Sequence, residues 1–149
     1  VAVAMYNTVC DSFRYSSFYI GKFIQELESG NTEAFLTRLK AFFADIPYEL
    51  NDRTERHYQV VFYIVFKLLG QFTEVRSAQG RADAIVKTPR YIYVFEFKLR
   101  GTAEEAIRQI DDRSYLIPYT ADEREVVKVG VAFDAATRNL GEWLIEKTL

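Results

Sequence analysis

Between Arg81 and Leu99 the chain reads RADAIVKTPRYIYVFEFKL, two apolar-rich alternating stretches broken by Thr88-Pro89-Arg90. Alternation with period two is the pattern of a β-strand, whose successive side chains face opposite sides of a sheet. In the second stretch Tyr91, Tyr93, Phe95 and Phe97 take one face, while Ile92, Val94, Glu96 and Lys98 take the other. The four rings read as core packing rather than as a base-stacking platform, because the acid lies on the opposite face. An acid and a lysine two residues apart thus point the same way on a strand that otherwise reads as buried. Buried charges are costly unless paired or bound to a metal.

The hairpin brings a second acid to that face. With an even-length loop centred between Pro89 and Arg90, paired positions sum to 179, which sets Asp83 directly opposite Glu96. Directly opposed side chains have Cβ atoms about 4.5–5.5 Å apart, and like charges at that distance destabilise a sheet. A hard divalent cation such as Mg²⁺ accepts oxygen ligands from one or two carboxylates, with waters and phosphate oxygens completing its shell. Lys98, one same-face step beyond Glu96, can then position or deprotonate an attacking water. A solvated Asp-Lys-Glu cluster on an exposed sheet face accounts for the same spacing.

Around the hairpin the periods place further elements. Helical spacing runs from Phe18 to Glu28 through Ile20, Phe23, Ile24 and Leu27, and stops at Ser29-Gly30. A helix over Thr32–Ile46 carries Phe35, Leu36, Leu39, Phe42, Phe43 and Ile46, with Asn31 or Thr32 as cap and Pro47 as stop. Residues 51–70 form another helix, with Glu55, Tyr58, Phe62, Val65 and Leu69 on one stripe and Gly70 after it. Strands follow at Phe72–Ala78, Arg81–Lys87 and Tyr91–Leu99, then a helix over Thr102–Asp111, then strands at Val126–Phe133 and Leu140–Ile145. The order ααβββαββ fits a mixed α/β sheet and not a doubly wound parallel one. Residues 1–30 are expected to be the tail of an upstream module or a linker, partly helical, and residues 31–149 the domain proper.

Composition narrows the chemistry. The chain has 149 residues, 49% of them hydrophobic and 27% charged, which excludes a disordered or low-complexity chain. One cysteine, Cys10, and one histidine, His57, exclude an internal disulfide and the usual zinc motifs. The longest apolar run, Val60 to Phe66, is far short of the ~18 residues that a membrane span needs. No secretory pattern opens the sequence, so a cytoplasmic domain is expected. The net charge of −2 argues against a simple basic nucleic-acid clamp. Its distribution is uneven: Arg81, Lys87, Arg90, Lys98 and Arg100 outnumber Asp83 and Glu96 within 81–100, and acids dominate 101–125.

Asp83 followed by Glu96-Phe97-Lys98 at the end of the next strand resembles the signature of the PD-(D/E)xK nuclease superfamily. The resemblance implies a restriction-endonuclease-like αβββαβ core with a mixed sheet, preceded here by additional helices. It also implies that Asp83 and Glu96, with the Phe97 backbone carbonyl, hold Mg²⁺ or Mn²⁺ as substitute, and that Lys98 serves the water. Glu55 matches the acid that the superfamily often carries on its first core helix, and Asp52-Arg-Thr-Glu55 also reads as a capping box. Gln109 and Tyr115 match a Gln-x5-Tyr element on the helix after the lysine strand; Gln109 is equally a polar residue on an exposed helix face. The sequence departs from the motif at Ala82, where the superfamily's name has proline.

Phrases such as AFLTRLKAFFADIPYEL, YQVVFYIVFKLLG and EEAIRQIDDRSY resemble bacterial nuclease-like domains at the C-terminus of AAA-type ATPases. An upstream ATPase in the same chain is therefore expected, in keeping with a sequence that begins at Val1. His57 in a first helical turn reads as solvated rather than as a general base. Glu74 reads as a cross-strand partner of Arg81 or Lys87. Arg76, Arg81, Lys87, Arg90 and Arg100 are candidates for following a phosphodiester backbone, and are also ordinary solubilising charge. The expected function is a Mg²⁺-dependent phosphodiesterase acting on nucleic acid, DNA in the first place. The other reading is a binding or regulatory module that keeps the nuclease fold without turnover.

Overall fold

The alternating run folds as the hairpin its period requires. The computed structural model describes residues 19–45, 63–69, 73–78, 81–112, 117–119 and 121–148, and at 73–78, 81, 82, 117 and 148 the backbone alone. Among the described residues five strands form one sheet in the order β1 (Thr73–Ala78), β2 (Arg81–Lys87), β3 (Tyr91–Lys98), β4 (Glu125–Asp134) and β5 (Asn139–Thr148). β1 pairs with β2, β2 with β3, and β4 with β5 in antiparallel fashion; β3 and β4 are parallel. A parallel pair needs a crossover, and the segment between them supplies a helix, so the sheet is mixed. The β2–β3 register sets Asp83 against Glu96 and Ala84 against Phe95, as the loop parity predicts. Thr88 closes the turn: its N–H donates to the Tyr91 carbonyl at 2.8 Å and its Oγ1 accepts from the Tyr91 N–H at 2.9 Å.

Helices pack on both sides of this sheet. α1 is described over 19–28, α2 spans Thr32–Ala44, α3 is described over 63–68, and α4 spans Ala103–Asp112. Asn31 is the cap of α2, its Oδ1 accepting from the Ala34 N–H at 3.2 Å. The end of α1 is a Schellman turn: Asn31 N–H donates to the Glu26 carbonyl at 2.9 Å and Gly30 N–H to that of Leu27 at 3.3 Å. Gly30 has φ +79°, and a Cβ there would lie 2.5 Å from the Tyr91 hydroxyl, so glycine serves both the turn and the packing.

The aromatic face of β3 meets α1, α2 and α3. Phe23, Phe35, Leu36, Leu39 and Phe66 are buried there with Tyr93, Phe95 and Phe97. Tyr93 and Phe95 stack along the strand, and Phe95 packs against both Phe35 and Phe66. The Tyr93 hydroxyl donates to the Leu27 carbonyl at 2.6 Å, and burial pushes that phenol up from its ordinary pKa. Tyr19, Phe23 and Leu27 all belong to this core. Within the segment expected as tail or linker, the described residues 19–30 thus lay their apolar stripe against the sheet.

Element ends shift for local reasons. α2 stops at Ala44, where the Asp45 N–H turns back to the carbonyls of Ala41 and Phe42, before the proline expected to end it. β5 runs beyond Ile145 because ladder pairing with β4, from Leu140 to Thr148, carries it past the point where apolar residues thin out. Glu55, His57 and Tyr115, and the expected stops at Pro47 and Gly70, lie outside the described residues, as do the side chains of Glu74, Arg76 and Arg81. No helix among the described residues is long and apolar enough to cross a membrane.

Candidate active site

Register and pleat bring the two acids together. Asp83 and Glu96 are opposed on adjacent antiparallel strands and so share a face. Both are buried, Glu96 completely (0% exposed). Lys98 follows two residues along the same face, where β3 ends, its side chain 14% exposed. α4 covers this face, with Ile107 and Ile110 packed on Val94 and Ile85.

From α4, Gln109 reaches down to join the strand residues. Its amide orientation is set by its neighbours, nitrogen toward a carboxylate and oxygen toward an ammonium. In that orientation it donates to Glu96 Oε1 at 2.8 Å and accepts from Lys98 Nζ at 3.0 Å. One side chain thereby ties the acid and the lysine together. The approach depends on Gly130 of β4, which is in register with Glu96. A Cβ at Gly130 would lie 2.6 Å from the Ala103 carbonyl oxygen and 2.9 Å from the Ile107 nitrogen, so only glycine lets the α4 backbone come this near.

The electrostatics follow from the burial. Loss of solvent raises the Glu96 pKa first, and the nearby Asp83 carboxylate raises it further. Lys98 opposes both, yet Glu96 is pushed up to about 8 from 4.5. Burial and the facing Asp83 carboxylate thus both disfavour a second negative charge at Glu96. Among the described residues no three or more His, Cys, Asp or Glu are grouped so that they could hold a metal ion. The donor set is two carboxylates on one face, with room in a cation's shell for water or phosphate oxygens. That set suits a hard divalent cation of the Mg²⁺ type, which uses few protein ligands.

Further charged contacts hold the neighbouring elements. Lys128, buried on β4, makes 3.0 Å ion pairs with Asp111 of α4 and Glu146 of β5. Burial works against its ammonium, but the two carboxylates outweigh this and raise its pKa. At the other end of the helix, Thr102 and Glu105 form a capping box: Glu105 N–H donates to Thr102 Oγ1 at 3.1 Å, and Thr102 N–H to Glu105 Oε2 at 3.4 Å. Glu105 Oε2 also lies 3.7 Å from Lys98 Nζ. Sequence reasoning missed Gly101, Glu105, Lys128 and Gly130; of these only Thr102-x-x-Glu105 left a readable signal, its capping-box spacing.

Of the residues expected at the site, Asp83, Glu96, Lys98 and Gln109 are gathered here, while Glu55 is outside the described residues. The cationic strand residues divide. Lys87 lies over the Tyr119 ring at 5.2 Å and Arg90 over the Tyr91 ring at 5.7 Å, both at the turn end of the hairpin, away from Lys98. Arg100 is exposed near Lys98.

A mixed sheet with opposed acids and a lysine on its central strands, covered by the crossover helix, defines the class of restriction-endonuclease-like folds. Comparison with known families agrees: residues 53–143 match the PD-(D/E)XK nuclease superfamily, and the chain belongs to it. It is also similar to an uncharacterized protein in the vnfD 5′ region of Azotobacter chroococcum mcd 1, with 34% identity over 119 residues. That alignment takes in 74% of this chain and spans 23% of the relative's length. No solved structure gives a significant match.

Proposed function

We propose that the domain is a Mg²⁺-dependent phosphodiesterase that cuts nucleic acid, DNA in the first place, within a cytoplasmic protein that also carries an ATPase domain. The observation that carries this reading is the opposed pair Asp83 and Glu96, buried on the face where Gln109 links Glu96 to Lys98. Superfamily membership supports a nuclease. The match to only 23% of a longer relative is in keeping with a domain joined to other parts.

In this reading Asp83, Glu96 and the Phe97 carbonyl are the groups that would hold Mg²⁺, with Mn²⁺ as a substitute. When bound, the cation supplies positive charge to the scissile phosphate and to the water that attacks it. Lys98 orients that water and offsets charge growing on the phosphate, the part a half-buried ammonium next to the reacting group plays best. Gln109 keeps Glu96 and Lys98 at fixed separation, so neither has to reorganise as the reaction proceeds. Glu55, expected from the sequence on the helix before β1, would add a further acid.

The test is cleavage of duplex DNA, single-stranded DNA and RNA with Mg²⁺, Mn²⁺ or Ca²⁺, with the ATPase-bearing protein included. Cutting is expected with Mg²⁺ and Mn²⁺ and not with Ca²⁺, whose larger, looser shell orients water poorly. Lys98→Ala should abolish turnover while Mn²⁺ still binds, and Asp83→Ala should abolish both. Nucleic acid held equally by all three proteins and cut by none would establish the binding module instead. Cutting that needs no metal and survives Asp83→Ala would overturn the assignment.

A further inference from the structure

Glu105 has no assigned part in the chemistry, yet the backbone around it is built to deliver its carboxylate to Lys98. Gly101, which follows Leu99 and Arg100 after the lysine strand, has φ +131°, a conformation open to glycine and strained for other residues. A Cβ at this position would lie 2.5 Å from Glu105 Oε2 and 2.9 Å from Lys98 Cε. The glycine therefore leaves the space in which the two side chains meet. The capping box fixes Glu105 from the other side, because Thr102 N–H donates to the same Oε2 that faces Lys98.

We propose that Glu105 is a positioning residue for Lys98: its capped carboxylate and the Gln109 amide oxygen grip the ammonium from two directions and keep it aimed along the face that holds Asp83 and Glu96. The catalytic consequence rests on the phosphodiesterase reading; the grip on Lys98 does not. Stability does not explain the contact. The Glu105 side chain is 46% exposed, and an ion pair as open as this contributes little to folding. Direction is what it can supply. A lysine side chain has four rotatable bonds, and one acceptor alone leaves its ammonium free to swing. Glu105 and Gln109 are four residues apart on α4 and so lie on the same side of the helix, which places both acceptors over the end of β3.

The experiment compares wild type, Glu105→Ala, Glu105→Gln and Glu104→Ala in the full chain, by two readouts. The first is the side-chain order of the Lys98 ammonium, followed by NMR on its nitrogen without metal or substrate. The second is kcat and KM for Mg²⁺-dependent cleavage. In Glu105→Ala the Lys98 signal should lose its order, and kcat should fall about 10- to 100-fold with KM unchanged, the scale of a misplaced catalytic group. Glu105→Gln keeps the length, the cap bond and an acceptor oxygen, and should restore most of both. Glu104→Ala removes an equal charge from the same helical turn and should match wild type in both readouts.

An ordered Lys98 in Glu105→Ala, with only a lower melting temperature, would overturn the proposal and leave Glu105 a helix cap. If wild type cuts nothing under any condition, the phosphodiesterase reading fails by itself. The NMR comparison then still decides whether Glu105 holds Lys98.

Discussion

On one face of β3, Tyr93, Phe95 and Phe97 line up along the strand and meet Phe23, Phe35 and Phe66 from three helices. On the other, Glu96 and Lys98 face α4, which offers an amide and a carboxylate. The first face is dry and made of groups that gain from burial, each large ring contributing a few kcal/mol. The second buries an acid opposite another acid, which raises the Glu96 pKa and costs stability. Alternation along one strand therefore couples the two: the aromatic layer supplies the stability that lets the opposite face hold charges in an unfavourable arrangement. A strand without such a layer behind it would relax by turning Glu96 out to solvent.

The largest break in this comparison should come from Phe95→Ala. Removing a ring that touches both Phe35 and Phe66 should cost about 3–5 kcal/mol in urea unfolding. It should also lower turnover, although Phe95 is on the face opposite the acids. A loss of stability with full activity would show that the two faces are independent.

A change of pH should come next. Folded protein keeps a proton on Glu96 up to about 8, whereas the unfolded chain releases it near 4.5. The folded state thus binds more protons between those values, and stability from this group falls as pH rises through the window. Between pH 5 and 7.5 the loss should be on the order of 3 kcal/mol, at about 1.4 kcal/mol per unit. It is read as the difference between wild type and Glu96→Gln. Millimolar Mg²⁺ should flatten the difference, because the bound cation keeps Glu96 ionised, and calorimetry at pH 7 should detect the proton released. A flat difference without metal would mean that Glu96 is already compensated.

Gly130→Ala should have the smallest effect on folding and a sharper one on the site. The new methyl group meets the α4 backbone, and overpacking of this kind costs about 1–3 kcal/mol. Relief requires α4 to move off the sheet, which draws Gln109 away from Glu96. Turnover should therefore fall further than stability alone explains, and the Lys98 ammonium should lose order. Wild-type activity in Gly130→Ala would show that helix distance does not govern the polar face.

What could be read in advance, and what could not, follows from range. The Asp83–Glu96 register was legible because strand parity and loop length act within a few residues of each other. The aromatic stripe and the stripes of α1 and α2 were legible for the same reason. The partner of α1 was not: Tyr93 meets Leu27 across 66 positions of chain, and no local period records that. Gly130 and Gly101 matter through the depth at which α4 docks, a property of two elements together. Lys128 lies mid-strand among valines and reads as an outward residue until Asp111 and Glu146 are in place around it.

The hairpin turn at Thr88 has a kinetic consequence. Asp83, Glu96, Lys98 and Gln109 all belong to one continuous stretch, β2–turn–β3–α4, and hairpins of this size close in about 1–10 μs. The aromatic layer, by contrast, must recruit α1 and α2 from far upstream, a slower search because distant segments have to find one another. Folding should therefore align the two acids before the layer that holds them in place has assembled. During that interval their mutual repulsion acts on an almost bare hairpin, so protonation or a divalent cation should speed the early step, whichever arrives first.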